Sequence, residues 1–249
     1  PIALPDHINE ASEEMIPLVS PDGQYLYFSR VYNEKNKGGE YSGDDIWMSK
    51  IISDTIYEPA KNNFPHLNNK DNNVVIGFSE KTDTLYLLNI YGPHNKMLPG
   101  VSYATHEEGK HHWNDPEIFD DKIKFDGDNY MAYVHSSGDI MFLSMDGQDA
   151  LGKEDLYVTL LGENGVWTEP THLGDNVNSE GFEISPFLNN SKDTLYYSSD
   201  GLGGLGDADI YFTVRLDSTW GNWSDPINLG APVNSHFYDA FLSIAPNGI

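Results

Sequence analysis

The sequence predicts an all-β fold, a β-propeller of four-stranded antiparallel blades with four full blades and partial flanking units. Three observations carry it. Sequence markers recur in tandem at a nearly fixed period, the text between them reads as short strands separated by turn chemistry, and no window sustains a 3.6-residue apolar period with caps.

The first marker is Trp-x-x-Pro, at Trp113-Asn114-Asp115-Pro116, Trp167-Thr168-Glu169-Pro170 and Trp223-Ser224-Asp225-Pro226, with Ile56-Tyr57-Glu58-Pro59 a weaker copy. The prolines at 59, 116, 170 and 226 step by 57, 54 and 56 residues. The second marker is Asp45-Ile46-Trp47, Asp155-Leu156-Tyr157 and Asp209-Ile210-Tyr211, with Ser102-Tyr103 in its place in the second unit. The third is an apolar strand after a polar turn: Leu26-Tyr27-Phe28, Leu85-Tyr86-Leu87, Met141-Phe142-Leu143 and Leu195-Tyr196-Tyr197.

Within a unit the strands follow in order. In the fourth they read Ile184 to Leu188, Thr194 to Ser198, Asp209 to Val214 and Asn222 to Leu229, each rich in β-branched and aromatic residues. Ser20-Pro21-Asp22-Gly23 suits a tight turn with Pro at its second position, and Asn189 to Asp193 supplies residues tolerant of left-handed backbone. The blades then run 14–71, 72–128, 129–182 and 183–238, with partial units 1–13 and 239–249, all in one propeller domain. The recurring Trp and Tyr are expected as core between blades. The recurring Asp before each Ile/Leu-aromatic pair is expected to accept backbone N–H groups in its hairpin.

Pro1-Ile2-Ala3-Leu4 aligns with Pro226-Ile227-Asn228-Leu229, and Gly23 with Gly248, both 225 residues on. Both ends therefore carry the same part of the repeat. Closure within these residues and membership of a larger ring both stay open.

Composition narrows the function. A formal charge of −25, from 39 acidic against 14 basic residues, repels nucleic acid and anionic membranes. Only Arg30 and Arg215 are arginines, too few for a multi-arginine anion clamp or the arginine triad of sialidases. The chain has no Cys, so thiolate metal sites and Cys nucleophiles are excluded. No apolar stretch approaches the ~18 residues of a membrane span, and no Gly-x-Ser-x-Gly elbow occurs.

The motifs resemble the PD40 family, the WD40-like propeller repeats related to TolB, especially versions in Bacteroidetes cell-envelope proteins that carry OmpA-like domains. The resemblance is fullest from Trp167 to Tyr211, through Gly174-Asp175-Asn176-Val177-Asn178-Ser179, Ser185-Pro186-Phe187-Leu188 and Leu195 to Gly201, and again over Ser20 to Ser29. The second unit departs from it between Asn89 and His112, and the third lacks the Pro-Asp-Gly turn. The resemblance implies a periplasmic or surface-exposed, outer-membrane-associated scaffold that binds a protein or glycan partner of the envelope, and it does not imply catalysis.

Thirteen residues after the recurring prolines, counting from Pro1, lie Glu14, Asn72, Asn129, Glu183 and Asp239, each expected to open an innermost strand. In a closed ring they would gather at one mouth of the central channel, to hold a cation or a polyhydroxylated ligand. The plain alternative is that each bonds the backbone of its own connection between blades. No cofactor is expected, Ca²⁺ being the one ion that the acidic glycine loops Gly38 to Asp45, Asp146 to Asp155 and Asp200 to Asp209 would admit, although none has EF-hand spacing. His106 to His112 is rich in histidine, but His106 and His111 stand five apart in a loop, the wrong spacing for a helical His-Glu-x-x-His zinc site. The leading expectation is a non-enzymatic binding module. The competing one is a glycoside-active enzyme with carboxylates in the central channel.

Overall fold

The structure, a computed structural model, describes residues 3–10, 13–93, 96–106, 112–120 and 123–245. Of the features singled out above, Pro1, Ile2, Glu107 to His111 and Gly248 lie outside the described residues.

The strands form four antiparallel sheets, each a four-stranded meander in chain order and each a blade of the β-propeller class. The first holds β1 (Glu13–Val19), β2 (Tyr25–Val31), β3 (Asp45–Ser53) and β4 (Ile56–Tyr57). The second holds β5 (Val74–Phe78), β6 (Thr84–Tyr91), β7 (Met97–Thr105) and β8 (Glu117–Ile118). The third holds β9 (Tyr130–Val134), β10 (Ile140–Met145), β11 (Asp155–Leu160) and β12 (Thr171–His172). The fourth holds β13 (Glu183–Leu188), β14 (Thr194–Ser199), β15 (Asp209–Val214) and β16 (Ile227–Asn228). No helix among the described residues is long and apolar enough to cross a membrane.

The sequence overstates the last strand of the fourth sheet. Of Asn222 to Leu229 only Ile227–Asn228 pairs as a strand, with an isolated bridge from Trp223 to Arg215. Pro226 interrupts the ladder because it has no N–H to give.

The turns between the first two strands of each sheet share one geometry. Gly23, Thr82, Gly138 and Lys192 all take positive φ, and each donates its N–H to the carbonyl three residues back, on Ser20, Ser79, His135 and Asn189 respectively. The side chain of the residue opening the turn also fixes it: the Ser20, Ser79 and Asn189 oxygens accept the N–H of Tyr25, Thr84 and Thr194. The Pro-Asp-Gly text is thus one of several ways to write this turn.

The described residues pack as two compact units, one drawn from residues 3–120 with 243–245 and one of residues 123–242. In the first, Tyr27 of β2 meets Phe78 of β5 edge-on at 5.2 Å, and the Ser29 hydroxyl donates to the Asn73 carbonyl at 3.3 Å. In the second, Ser144 repeats that bond to the Glu183 carbonyl at 2.7 Å, and Phe142 packs edge-on against Trp220 and Trp223. Trp47, Tyr157, Tyr211 and Trp223 are buried core as expected, whereas Trp113 and Trp167 are only half-buried.

Candidate functional site

The residues entering the innermost strands are held by short polar loops, and the fourth sheet shows how. Glu183 opens β13 with no exposed surface. Its Oε2 accepts the Ser179 N–H at 2.8 Å, and its Oε1 accepts the hydroxyls of Ser179 and Ser199, both at 2.6 Å. Burial pushes the Glu183 carboxyl up, and the serine donors work against that rise. Asp239 repeats the arrangement, taking the Ser235 N–H at 2.7 Å and the Ser235 hydroxyl at 2.9 Å.

In the first unit Glu14 accepts from the Arg30 Nε at 2.9 Å and from the Glu10 N–H at 3.4 Å. In the second sheet the matching position is Asn73, one residue beyond Asn72. Asn73 is fully buried, accepts the Asn69 N–H at 2.8 Å, and donates its own N–H to the Asp44 carbonyl as Glu183 does to that of Glu154. Asn72 is exposed, its Oδ1 3.4 Å from the Asp44 nitrogen. Asn129 is exposed one residue ahead of β9.

Two residues past three of these positions the backbone turns left-handed at non-glycine residues: Ile16 (φ 52°), Ser185 (φ 50°) and Phe241 (φ 64°). A β-branched Ile at positive φ is a strained choice. In β1 and β13 the register with the neighbouring strand shifts at this point, between Met15 and Leu18 and between Ile184 and Phe187. The bulge re-aims the side chains at the entry to the strand.

Beside Glu183 and Asp239 stands an aromatic surface that sequence reasoning missed. Phe182 and Tyr238, the residues just before those two acids, lie with ring centroids 5.9 Å apart, tilted at 41°. Tyr238 is 50% exposed and its neighbour Phe237 76% exposed. Asp200 ties the rim together: its Oδ1 accepts the Phe182 N–H at 2.7 Å and its Oδ2 accepts from Lys153 Nζ at 2.8 Å. That ammonium also lies 5.2 Å from the Phe182 ring centroid. Burial, with Asp200 and Glu154 nearby, raises the Tyr238 phenol. The available signal was an aromatic directly ahead of an acid in two successive units, Phe182-Glu183 and Tyr238-Asp239, although of the two acids only Glu183 opens a strand and Asp239, expected to do so, is followed by none among the described residues.

The recurring Asp performs the hairpin role expected of it. Oδ2 of Asp45, Asp155 and Asp209 accepts the N–H of Lys37, Leu151 and Leu205 in turn. The same oxygen also takes a side-chain contact from Asn62, His172 or Asn228, while Oδ1 of all three is buried without a partner. Among the described residues no three His, Asp or Glu side chains are grouped as metal ligands would be.

The fold and these strand entries define the class: a β-propeller whose polar inner-strand entries carry exposed aromatics on the connections beside them. No family model and no curated protein matches the chain. Solved structures do. One described as a glycoside hydrolase aligns with a TM-score of 0.57 and 13% identity over 94% of this chain and 79% of its own. The endo-arabinase of Bacteroides thetaiotaomicron aligns at 0.51 and 13% identity, over 93% of this chain and 85% of its own. A protein described as Bacteroides ovatus xyloglucan PUL GH43B aligns at 0.50 and 14% identity, over 90% of this chain and 42% of its own. At such identity the likeness is one of fold.

Proposed function

We propose that this chain is a glycan-recognising β-propeller whose sugar-binding surface is the Phe182, Phe237 and Tyr238 platform. The observation that carries this reading is the exposure of Phe237 and Tyr238 beside a charged, hydrogen-bonded rim. Aromatic faces stack on the C–H faces of sugar rings, and the Lys153 and Asp200 rim supplies donors and acceptors for hydroxyls. The names of the similar structures support a glycan over a protein among the partners expected from the sequence. The resemblance to PD40 repeats supports a place in the periplasm or at the outer-membrane surface.

A second reading is hydrolysis of a glycosidic bond, favoured by the similar structures described as a glycoside hydrolase and an endo-arabinase. It needs an acid and a second carboxylate about 5 to 9.5 Å apart across the sugar. Glu183 has the raised carboxyl a general acid requires, but both its oxygens are occupied by serine donors. That favours binding without turnover.

One experiment tests both readings. The protein and its Phe237→Ala/Tyr238→Ala variant are run through gels containing arabinan, xyloglucan or pectin, and reducing ends are assayed in parallel. Retardation of the parent alone, without new reducing ends, is the expected result. New reducing ends that vanish in Glu183→Gln would establish hydrolysis. Equal migration of parent and variant in every gel would overturn the platform.

A further inference from the structure

The first unit contains a cavity of about 520 Å³ remote in sequence from the platform, within the range of small-ligand sites. It lies between the first and second sheets, on the side of their β1–β2 and β5–β6 turns. Its floor is Tyr27, which is 5% exposed. Tyr27 is stacked on Phe64 at 6.0 Å, set edge-on to Phe78 and hydrogen-bonded to Trp113. Burial pushes its phenol up to about 12, so it stays neutral and fixed. Trp113 and Tyr25 line the rim half-buried, and His106 props Trp113 edge-on at 4.6 Å while bonding the Thr82 carbonyl at 2.9 Å. The aromatic frame is therefore held before any ligand arrives.

The charge of this cavity runs against that of the chain. Three of the fourteen Lys and Arg residues, Lys50, Lys61 and Lys81, line it against two acids, Asp22 and Glu58. Among the described residues Lys50 and Lys81 enter no ion pair, and Lys61 reaches Glu58 only at 3.9 Å between exposed side chains. Three lysines against two acids favour an anionic ligand at this pocket, against a chain charge of −25. The two acids can accept from sugar hydroxyls, and the hydroxyls of Ser20 and Thr82 can both accept from and donate to them, which a glutamate peptide does not offer.

We propose that this cavity binds an anionic sugar, a uronic acid residue or short uronate oligosaccharide, with its ring against Tyr25 and Trp113 and its carboxylate toward the lysines. The proposal rests on the reading above only in taking the ligand to be a sugar; the surface is a different one.

The test is calorimetric titration with trigalacturonic acid, its methyl ester as a neutral control, and a hexaglutamate peptide. Parent, Lys50→Gln/Lys81→Gln and Trp113→Ala proteins are compared, with folding checked by circular dichroism. The expected result is binding of the acid by the parent, about ten-fold weaker in the lysine variant and on going from about 0.05 to about 0.5 M salt. Binding should also be weaker in Trp113→Ala. Equal binding of the ester, tighter binding of the peptide, or binding of the acid unchanged in both the lysine variant and Trp113→Ala would each overturn the proposal. So would no binding of the acid at all; if gel retardation through the platform persists in that case, the glycan reading stands while this cavity proposal falls.

Discussion

The side-chain amide of Asn178 is clamped on the backbone of Leu156: its Oδ1 accepts the Leu156 N–H at 2.7 Å and its Nδ2 donates to the Leu156 carbonyl at 3.0 Å. Asn68 makes the same pair of bonds to Ile46, at 2.9 and 3.0 Å, and Asn234 to Ile210, at 2.8 and 2.9 Å. One residue type at one place in three blades thus ties the loop leading to the next inner strand onto the third strand of its own sheet. Replacing Asn178 with Ala would strand the buried Leu156 N–H, while the Leu156 carbonyl keeps the Leu173 N–H at 3.1 Å, at a cost of about 1 to 3 kcal/mol. Urea denaturation should show this as a lower midpoint at unchanged slope, with Asn178→Asp at least as low because it buries a carboxylate oxygen against the Leu156 carbonyl.

Arg30 is fully buried. It donates to the Ile8 carbonyl at 2.7 Å and to Glu14 at 2.9 Å, with its guanidinium 4.3 Å from the Trp47 ring centroid. Arg30→Ala should cost about 3 to 5 kcal/mol, since Glu14 loses its guanidinium donor and a cavity opens. Arg30→Met, which refills the space, should unfold later than Arg30→Ala in a thermal scan.

Burial pushes the Asp45 carboxyl from its ordinary 3.8 up to about 6, against the opposing donors Lys37 N–H and Asn62. A folded value above the unfolded one means the native state keeps a proton that the unfolded chain has already released. The stabilisation from this group is therefore complete below pH 3.8 and is lost as pH rises to about 6. Stability curves taken across that window should fall by at most about 1.4 kcal/mol per pH unit on this account. The fall should be shallower in Asp45→Asn.

Gly152 approaches the Glu180 carbonyl so closely that a Cβ would fall inside contact distance of backbone, beside the Lys153 N–H bond to the Gly181 carbonyl at 3.0 Å. Gly152→Ala should therefore cost about 3 kcal/mol. Gly165→Ala, at φ +73° with nothing near its Cβ, should cost about 1 kcal/mol for the conformation alone. Their melting temperatures should differ accordingly.

The period of the Asp45, Asp155 and Asp209 motif was legible in the sequence because it is written in residue types that strand pairing and hairpin bonding demand locally. Asn178 was legible as part of a motif, but not in its role. Its partner Leu156 lies 22 residues earlier, and only the folded sheet makes them neighbours. The position of Asn73 was missed by one residue because the second unit carries one more residue between its proline and its inner strand. The platform of Phe182 and Tyr238 was invisible for a related reason: each ring sits on a separate connection, Tyr238 56 residues after Phe182.

By itself the sequence determined the blade text: strand order, turns and the hairpin bonding of the recurring Asp, all set by local hydrogen bonding and alternation of side chains. The tertiary structure alone decided which aromatics stay exposed, which lysines share a cavity with Tyr27 and Trp113, and which carboxylates are occupied by serines. Those outcomes depend on how neighbouring sheets meet. The energy of a side chain there is fixed by neighbours distant along the chain, which local sequence does not encode.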